Sequence, residues 1–249
     1  MSTIVLITGA ARGIGKALVQ TYLSRPNHTV IGTVRDTSSP TLQPLHSHPT
    51  GPGSMLLLFQ VESTNPEDYE SLIPSIKAAG ITHLDLVVSN AGIASPFGSP
   101  ANVPIEAVTN VFDVNTLGTL RLFQATRDLL ESSPGQPKWV SVSTLAASIG
   151  RAEELGTAIG VPYALSKVGV NWLTVAIHSS EKWLVAFAIH PGLVQTDMGN
   201  EGAQLMGLPE APVTLEQATT RTMERIDGAT RESTSGKFWD IIEGTELVW

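Results

Sequence analysis

Cysteine is absent from the 249-residue sequence, and this absence excludes several kinds of chemistry at once. Without cysteine there is no disulfide, no thiolate nucleophile, no zinc-thiolate site and no iron–sulfur cluster, and a reducing compartment is expected. Charge is also scarce, because charged residues make up 15% of the chain and the formal net charge is -8. A weakly charged acidic chain does not attract polyanions, so we expect no nucleic-acid partner.

Long hydrophobic runs and leader-like segments are missing as well. No apolar run reaches the roughly 18 residues that cross a bilayer. The sequence opens on an apolar strand pattern at residues 3–7, not on a basic segment followed by an apolar core. We therefore expect a cytoplasmic protein with no membrane partner. The six histidines are scattered without metal-ligand spacing, so we expect no metal site.

Apolar residues are plentiful, at 42% of the chain, and allow one large domain over residues 1–249. Seven strand patterns alternate with helix patterns; they cover residues 3–7, 28–34, 55–61, 84–89, 139–143, 184–190 and 236–241. This alternation predicts an α/β fold, a Rossmann-like, doubly wound parallel sheet of seven strands with helices on both faces. Helices are predicted at residues 65–79, 104–130 and 161–180 and from a capping box at Thr214, and a mobile surface loop at residues 37–54.

A glycine-rich turn follows the first strand and leads directly into a helix, with the sequence Thr8-Gly9-Ala10-Ala11-Arg12-Gly13-Ile14-Gly15. The unpaired N–H groups at such a helix start favour phosphate, and the glycines let a pyrophosphate approach the backbone. The spacing G-x-x-x-G-x-G differs from the more familiar G-x-G-x-x-G. A purely structural turn is the competing interpretation.

Tyr163 and Lys167 lie four residues apart, on one face of a predicted helix. A nearby cation lowers the pKa of a phenol, which is about 10 in a free tyrosine, and so suits it to proton transfer. The alternative is an ordinary surface pair. The strand at residues 139–143 brings Ser143 and Thr144 to the same sheet edge, where a hydroxyl can hold a carbonyl oxygen.

With Asn90-Ala91-Gly92, Asn115 and Pro191-Gly192, these motifs resemble in order those of the short-chain dehydrogenase/reductase family, over essentially the whole chain. The resemblance implies hydride transfer between a nicotinamide and a carbonyl carbon, with Tyr163 giving the proton to the oxygen. It also implies that Lys167 lowers the pKa of Tyr163 and binds the nicotinamide ribose, and that Asn115 holds a water of the proton path. A helix-packing amide is the other interpretation of Asn115. The family often forms dimers or tetramers through its long helices.

The sequence does not decide which of several neighbouring hydroxyls holds the substrate carbonyl. Alignment of Ser141-Val142-Ser143-Thr144 with the family pattern Asn-Ile-Ser-Ser puts Thr144 at the catalytic serine. The chain is several residues longer than is usual in the family between Thr144 and Tyr163. Ser143 or Ser148 is therefore an alternative to Thr144.

Cofactor choice depends on the end of the second strand. NAD-binding folds place an acid there for the ribose 2′-hydroxyl, whereas this chain has Val34 followed by Arg35. Arg35 and Arg12 are expected to clamp a 2′-phosphate, which favours NADP(H) over NAD(H). Asp36 is the contrary feature, because a small shift of the strand end would put its carboxylate near the ribose. By resemblance, Gln60-Val61 lies beside the adenine, and the Val194 backbone and the Thr196 hydroxyl contact the nicotinamide amide. The full predicted cofactor set is Thr8, Gly9, Arg12, Gly13, Ile14, Gly15, Arg35, Gln60, Val61, Asn90, Ala91, Gly92, Asn115, Tyr163, Lys167, Pro191, Gly192, Val194 and Thr196.

Residues 190–199 and 236–249 look like the carbonyl-reductase branch that includes sniffer-type enzymes. Residues 81–85, 181–184 and 195–212 are similar to the pattern of the fungal norsolorinic acid ketoreductases, which is a closer resemblance still. This resemblance implies NADPH-dependent reduction of a bulky hydrophobic aryl or polyketide ketone in secondary metabolism. The substrate pocket is expected from residues 95–102, 148–162 and 193–209. An NAD-dependent alcohol dehydrogenase and a non-catalytic nicotinamide-nucleotide sensor are the alternatives; the intact Tyr163, Lys167 and Asn115 argue against the sensor.

Overall fold

A computed structural model describes residues 2–94, 96–155 and 160–249 of the chain. Its strands are β1 (Thr3–Thr8), β2 (His28–Val34), β3 (Met55–Gln60), β4 (Leu86–Ser89), β5 (Lys138–Val142), β6 (Val185–His190), β7 (Phe238–Asp240) and β8 (Thr245–Leu247). They form one sheet in the order β3-β2-β1-β4-β5-β6-β7-β8, and every pair is parallel except β7 with β8. The strand order reverses between β1 and β4. Ligands of such sheets bind at this point, beyond the carboxyl ends of the strands.

The helices are α1 (Gly13–Ser24), α2 (Gln43–His46), α3 (Pro66–Ala78), α4 (Ile105–Phe112), α5 (Gly118–Glu131), α6 (Ala152–Leu155), α7 (Val161–Ser180), α8 (Asp197–Leu205) and α9 (Leu215–Asp227). They cover both faces of the sheet because β1 is apolar on both. Val5 and Ile7 lie in one core cluster, which includes residues of α1 and α9. Ile4 and Leu6 lie in a second cluster, with residues of α3, α5 and α7. This arrangement is that of a parallel sheet buried on both faces.

Several predicted boundaries are confirmed by the structure. Strand β2 and helix α7 have the predicted limits. Helix α9 begins with the predicted capping box, in which the Thr214 side chain accepts from the Gln217 N–H and the Gln217 side chain accepts from the Thr214 N–H. None of the helices in the described ranges combines the length and apolarity that a bilayer span requires.

The predicted fold class is confirmed, and three details of its elements differ from the prediction. The sheet has eight strands where seven were expected, because β8 is a three-residue antiparallel edge strand without the apolar run that marks the others. Residues 37–54 include two short helical turns, Pro40–Leu42 and α2, whose Leu42 and Leu45 are buried in the core. The helix predicted at residues 104–130 is interrupted between α4 and α5 by a wider π turn at Asp113–Leu117.

Candidate active site

The glycine turn between β1 and α1 leaves backbone donors for a ligand. Gly9 has a φ of +68°, and a Cβ on Gly15 would collide with the Gly9 carbonyl oxygen, so both positions need glycine. Arg12 is the first residue before α1, and no side chain caps this helix. Helices α3, α8 and α9 begin with capping side chains, whereas α4 and α7, like α1, do not. The open start of α1 together with the glycines of the turn therefore fits the phosphate of a nicotinamide dinucleotide.

The ends of β1 and β4 are tied to each other at the switch point. Thr8 Oγ1 accepts hydrogen bonds from the Asn90 and Ala91 backbone N–H groups, both at 3.0 Å. The Asn90 side-chain amide donates back to the Thr8 carbonyl at 2.8 Å. Gly92 follows, and a Cβ there would lie 3.0 Å from Asn115 Oδ1 and 3.6 Å from Lys167 Nζ. The Asn90-Ala91-Gly92 motif therefore joins the glycine turn to the helices that carry the candidate catalytic residues.

The end of β2 presents a cation to solvent. Val34 is buried, whereas Arg35 is exposed and its side chain has no hydrogen bond or ion pair within the described ranges. Gln60 lies opposite Val34 in the β2–β3 register, and the Val61 N–H donates to the Val34 carbonyl at 2.8 Å. Asp36 Oδ1 accepts from the N–H and hydroxyl of Ser38, at 2.8 and 2.6 Å, and these bonds lower the pKa of Asp36.

Arg12 forms an ion pair that the sequence of the glycine turn does not predict. Its guanidinium Nη1 lies 2.9 Å from Asp197 Oδ2 of α8, and the two side chains are 62% and 83% exposed. The same two segments meet at Thr196, whose Cγ2 lies 3.3 Å from where a Gly13 Cβ would be. Thr196 caps α8 by accepting from the Gly199 N–H at 3.0 Å, and its hydroxyl donates to the Val194 carbonyl at 3.3 Å.

Pro191 and Gly192, which follow β6, lead into that segment. Val194 forms an isolated parallel bridge with Val213, and the Gln195 N–H donates to the Val213 carbonyl at 2.8 Å. A Cβ at Gly192 would lie 2.9 Å from the Val213 side chain. This packing holds Val194 and Thr196 beside the glycine turn, where contacts with the nicotinamide amide are predicted.

Asn115 lies in the π turn and is fully buried. Its Oδ1 accepts from the Ile93 N–H at 2.9 Å, and its Nδ2 donates to the Ile93 carbonyl at 2.8 Å and to Ser166 Oγ at 2.9 Å. Thr116 Oγ1 donates to the Ser166 carbonyl at 2.7 Å. The amide of Asn115 thus connects the loop after β4 to helix α7. The water relay predicted for Asn115 by resemblance stays a prediction.

Tyr163 and Lys167 lie one turn apart on α7, above the end of β5. Lys167 Nζ donates to the Val142 carbonyl at 2.6 Å and lies 5.8 Å from the centre of the Tyr163 ring. Burial lowers the pKa of Lys167 to about 8 and raises the pKa of Tyr163 to about 12. The lowered Tyr163 pKa expected from the sequence is therefore not found in the chain alone. Tyr163 holds its proton at neutral pH, as a proton donor must.

Three hydroxyls compete for the carbonyl-holding role, and two of them are already engaged inside the protein. Ser143 Oγ donates to Asn171 Oδ1 at 2.6 Å, and Ser148 Oγ donates to the Val248 carbonyl at 2.7 Å. Thr144 is only partly buried, and its Oγ1 accepts from the Ala146 N–H at 3.3 Å. Within the described ranges the Thr144 hydroxyl hydrogen has no acceptor. Its proton is the one left to bond a substrate oxygen.

Two residues of α7 take part in the site although sequence reasoning missed them. Ser166 donates to the Tyr163 carbonyl at 2.7 Å and receives the Asn115 amide, and Asn171 holds Ser143. Their spacing is the signal that could have identified them. Ser166 lies three residues after Tyr163 and Asn171 four residues after Lys167, so they share the helix face of the candidate catalytic pair. Parts of the predicted substrate pocket, Ser95 and residues 156–159, lie outside the described ranges. Phe97 packs against Gly160 at the start of α7.

Comparison with known proteins identifies relatives over the whole chain. The family model for short chain dehydrogenase matches residues 3–205. A short-chain dehydrogenase of Neurospora crassa, srdF, is 44% identical, covering 100% of this chain and 98% of that protein. Norsolorinic acid ketoreductase nor1 of Dothistroma septosporum is 41% identical over 99% of this chain and 92% of its own. The crystal structure of NADPH-bound carbonyl reductase from chicken fatty liver superposes with a TM-score of 0.85 at 27% identity, covering 100% of both chains.

Proposed function

The chain belongs to the short-chain dehydrogenase family, whose members are oxidoreductases, and on this basis we propose that it is an NADPH-dependent reductase of bulky hydrophobic ketones. The observation that carries the proposal is that Lys167, beside the Tyr163 ring, is bonded to Val142 at the end of β5, two residues before Thr144, whose hydroxyl hydrogen has no acceptor in the described part of the chain. A bound nicotinamide cofactor supplies the hydride. The chain supplies the proton, the orientation of the carbonyl and the electrostatic environment.

The proton path follows from the states of the three groups. The Thr144 hydroxyl donates a hydrogen bond to the ketone oxygen and holds it beside the Tyr163 phenol. Tyr163, whose raised pKa keeps it protonated, transfers its proton as negative charge develops on that oxygen. The Lys167 ammonium, held by the Val142 carbonyl, stabilises the phenolate left behind in a site of low dielectric constant. Asn115 is a positioning residue that fixes α7 against the loop after β4.

A preference for the phosphorylated cofactor is supported by the charges at the end of β2. No acid occupies the place of Val34, and Asp36 already accepts two hydrogen bonds from Ser38. Arg35 is exposed and unpaired in the described part of the chain, so it is available for a 2′-phosphate. Arg12 would be the second cation of the clamp after release from its exposed partner Asp197.

A hydrophobic substrate is supported by the apolar side chains exposed on segments that follow β5 and β6 at the carboxyl edge of the sheet. Ile149 is 68% exposed, Leu205 59% and Met206 47%. Apolar lining with few polar groups is typical of pockets for apolar ligands. The relatives named norsolorinic acid ketoreductase support an aryl ketone of the polyketide type as the substrate class.

A second copy of the chain is the partner that we propose for helix α7. Leu165, Trp172 and Val175 recur at helical spacing and are all exposed, Trp172 by 69%. An exposed apolar stripe of this kind is typical of a protein interface. Sedimentation of the intact chain at micromolar concentration tests the proposal, because a monomer at all concentrations would contradict it.

The test of the proposed function is NADPH oxidation with a panel of aryl and aliphatic ketones. We expect turnover that favours aryl ketones and NADPH over NADH. Tyr163→Phe should lower kcat/KM by about 10²- to 10⁴-fold while the NADPH affinity stays within about twofold. Tyr22→Phe is the matched control, because the Tyr22 hydroxyl is buried without a partner in the described part of the chain and lies on α1. Tight NADPH binding without turnover on any ketone would indicate the sensor instead.

The two neighbouring hydroxyls make a second, paired test. Thr144→Ala should lower kcat/KM by about 10²-fold, because it removes the donor to the ketone oxygen. Ser143→Ala should chiefly lower the free energy of unfolding, because it removes the donor to the buried Asn171 Oδ1. A larger rate loss in Ser143→Ala than in Thr144→Ala would exchange their roles.

A further inference from the structure

The loop that carries Thr144 is bonded to residues 247–249, a segment about a hundred positions away that we call the clasp. Ser148 Oγ donates to the Val248 carbonyl at 2.7 Å across 100 positions of sequence. The Gly150 N–H donates to the Trp249 carbonyl at 3.0 Å. Ser148 is only 1% exposed, so water does not compete for its hydrogen bond.

Apolar packing reinforces these two hydrogen bonds. Trp249 stacks on the ring of Phe238 in β7, with ring centres 5.5 Å apart and an interplanar angle of 17°. Leu247 lies in the same small cluster, and Leu145 packs against it. This cluster is separate from the two large cores on the faces of the sheet. Because Leu145 directly follows Thr144, the clasp reaches the residue next to the candidate hydroxyl.

Helix α7 holds the same loop from its other side. Asn171 accepts from Ser143 at 2.6 Å and donates to the Ala147 carbonyl at 3.4 Å. These contacts secure the two ends of the first helical turn, Leu145–Ala147, which Thr144 begins. The next turn, Ile149–Arg151, starts after Ser148, where the bonds to the clasp are made. The loop therefore has one anchor on the helix of Tyr163 and a second anchor on the clasp.

We propose that the clasp positions the Thr144 loop, and that Trp249 and Ser148 are positioning residues for reduction of the ketone. The kinetic part of this inference rests on the proposed function, since it takes Thr144 as the hydroxyl that holds the carbonyl. The clasp makes no described contact with the glycine turn or with Arg35. Loosening it should therefore change the handling of the ketone and leave the cofactor affinity unchanged. Val248, 58% exposed beside Gly150, also adds apolar surface next to Ile149.

The test compares Trp249→Ala, Trp249→Phe and Ser148→Ala with the intact chain. The rate of amide hydrogen exchange in peptides that cover residues 145–155 measures how firmly the clasp fixes the loop, and this measurement does not require enzymatic activity. In Trp249→Ala we expect the Gly150 amide to exchange about tenfold faster or more. We also expect kcat/KM for the ketone to fall about tenfold, with the NADPH dissociation constant within about twofold. Trp249→Phe keeps a stacking ring and should restore most of both properties.

Ser148→Ala should also speed exchange of the Gly150 amide and lower kcat/KM for the ketone, both by less than Trp249→Ala. If Trp249→Ala does not fold, Ser148→Ala alone tests the proposal. Thr126→Val is its matched control, because it removes a buried hydroxyl-to-carbonyl bond of 2.8 Å on helix α5. Unchanged exchange in Trp249→Ala and Ser148→Ala would overturn the proposal, and so would faster exchange with unchanged kcat/KM. If the intact chain reduces no ketone, the proposed function fails, and the exchange data still decide whether the clasp holds the loop.

Discussion

At the proposed catalytic end of the crevice the lysine and the asparagine are buried and bonded to other groups of the chain, whereas at the proposed phosphate end the two arginines are exposed. Lys167 and Asn115 are buried, and each is bonded to backbone or side-chain groups. Arg12 instead forms an ion pair whose members are more than half exposed, and Arg35 is exposed with no partner in the described ranges. In the proposed function, the first end is already formed in the chain alone, and the second is completed by the phosphate of the cofactor.

This difference indicates how the cation at each end affects the stability of the fold and the binding of ligands. A buried, preoriented ammonium acts strongly on a neighbouring phenol because the dielectric constant is low, but its desolvation lowers the stability of the fold. Exposed guanidiniums lose little hydration and contribute little to folding. Variants at the catalytic end should therefore change stability together with rate, and variants at the phosphate end should change cofactor choice alone.

The largest effect is expected from the buried charge of Lys167. Its pKa of about 8 in the folded chain lies below the usual 10.5, so the folded state binds fewer protons than the unfolded state between these pH values. The stability of the wild type should therefore rise with pH through this window, and below pH 8 the whole desolvation penalty, about 3 kcal/mol, is present. Lys167→Met lacks this penalty. The free energy of unfolding of the variant minus that of wild type should therefore decrease by about 3 kcal/mol from pH 7 to pH 10.5.

Urea unfolding of both proteins at the two pH values measures this change. The part of the lost hydrogen bond to Val142 that is common to the ammonium and the amine cancels from the comparison, and the part that depends on charge is already contained in the Lys167 pKa. Arg127→Met is a useful control, because Arg127 is partly exposed and stays charged throughout the range. A stability difference that does not vary with pH would show that the Lys167 ammonium is well solvated, and the contrast between the two ends would disappear.

Arg35→Ala should produce the next largest effect, confined to cofactor choice. Loss of a charged hydrogen bond to the 2′-phosphate should weaken NADPH binding by about 1.5 to 3 kcal/mol, or roughly 10- to 150-fold. NADH affinity and the urea midpoint should change little, because Arg35 has no described partner within the chain. Fluorescence titration with both cofactors measures the effect, and Arg221→Ala on α9 is a control for loss of an exposed arginine. Equal losses for NADPH and NADH would remove Arg35 from the phosphate site.

The catalytic end was also easier to predict from sequence, because local spacing carries much of its geometry. Tyr163 and Lys167 must share a face once residues 161–180 are helical, and the structure has this helix at the predicted limits. The choice between Ser143 and Thr144 was undecidable, because it depends on Asn171, which is 28 positions away and has no motif of its own. The clasp rests on β8 and Trp249, whose short segment lacks any periodic signal. Contacts between segments that are distant in sequence therefore could not be predicted and became known only from the fold.

The pairing of Arg12 with Asp197, 185 positions apart, is another such contact, and it gives the smallest expected effect. An ion pair this exposed contributes at most about 1 kcal/mol, so a 2′-phosphate can replace the carboxylate at little cost.

Asp197→Asn removes the carboxylate that competes with a 2′-phosphate for the Arg12 guanidinium. NADPH affinity should rise about two- to fivefold, with NADH affinity unchanged. The same substitution made together with Arg12→Ala should give no gain, because the coupling between the two residues is then absent. Titration of the four proteins with both cofactors measures that coupling. A gain that persists without Arg12 would mean that Asp197 acts on the phosphate directly, and Arg35 would remain as the cation proposed for this end of the crevice.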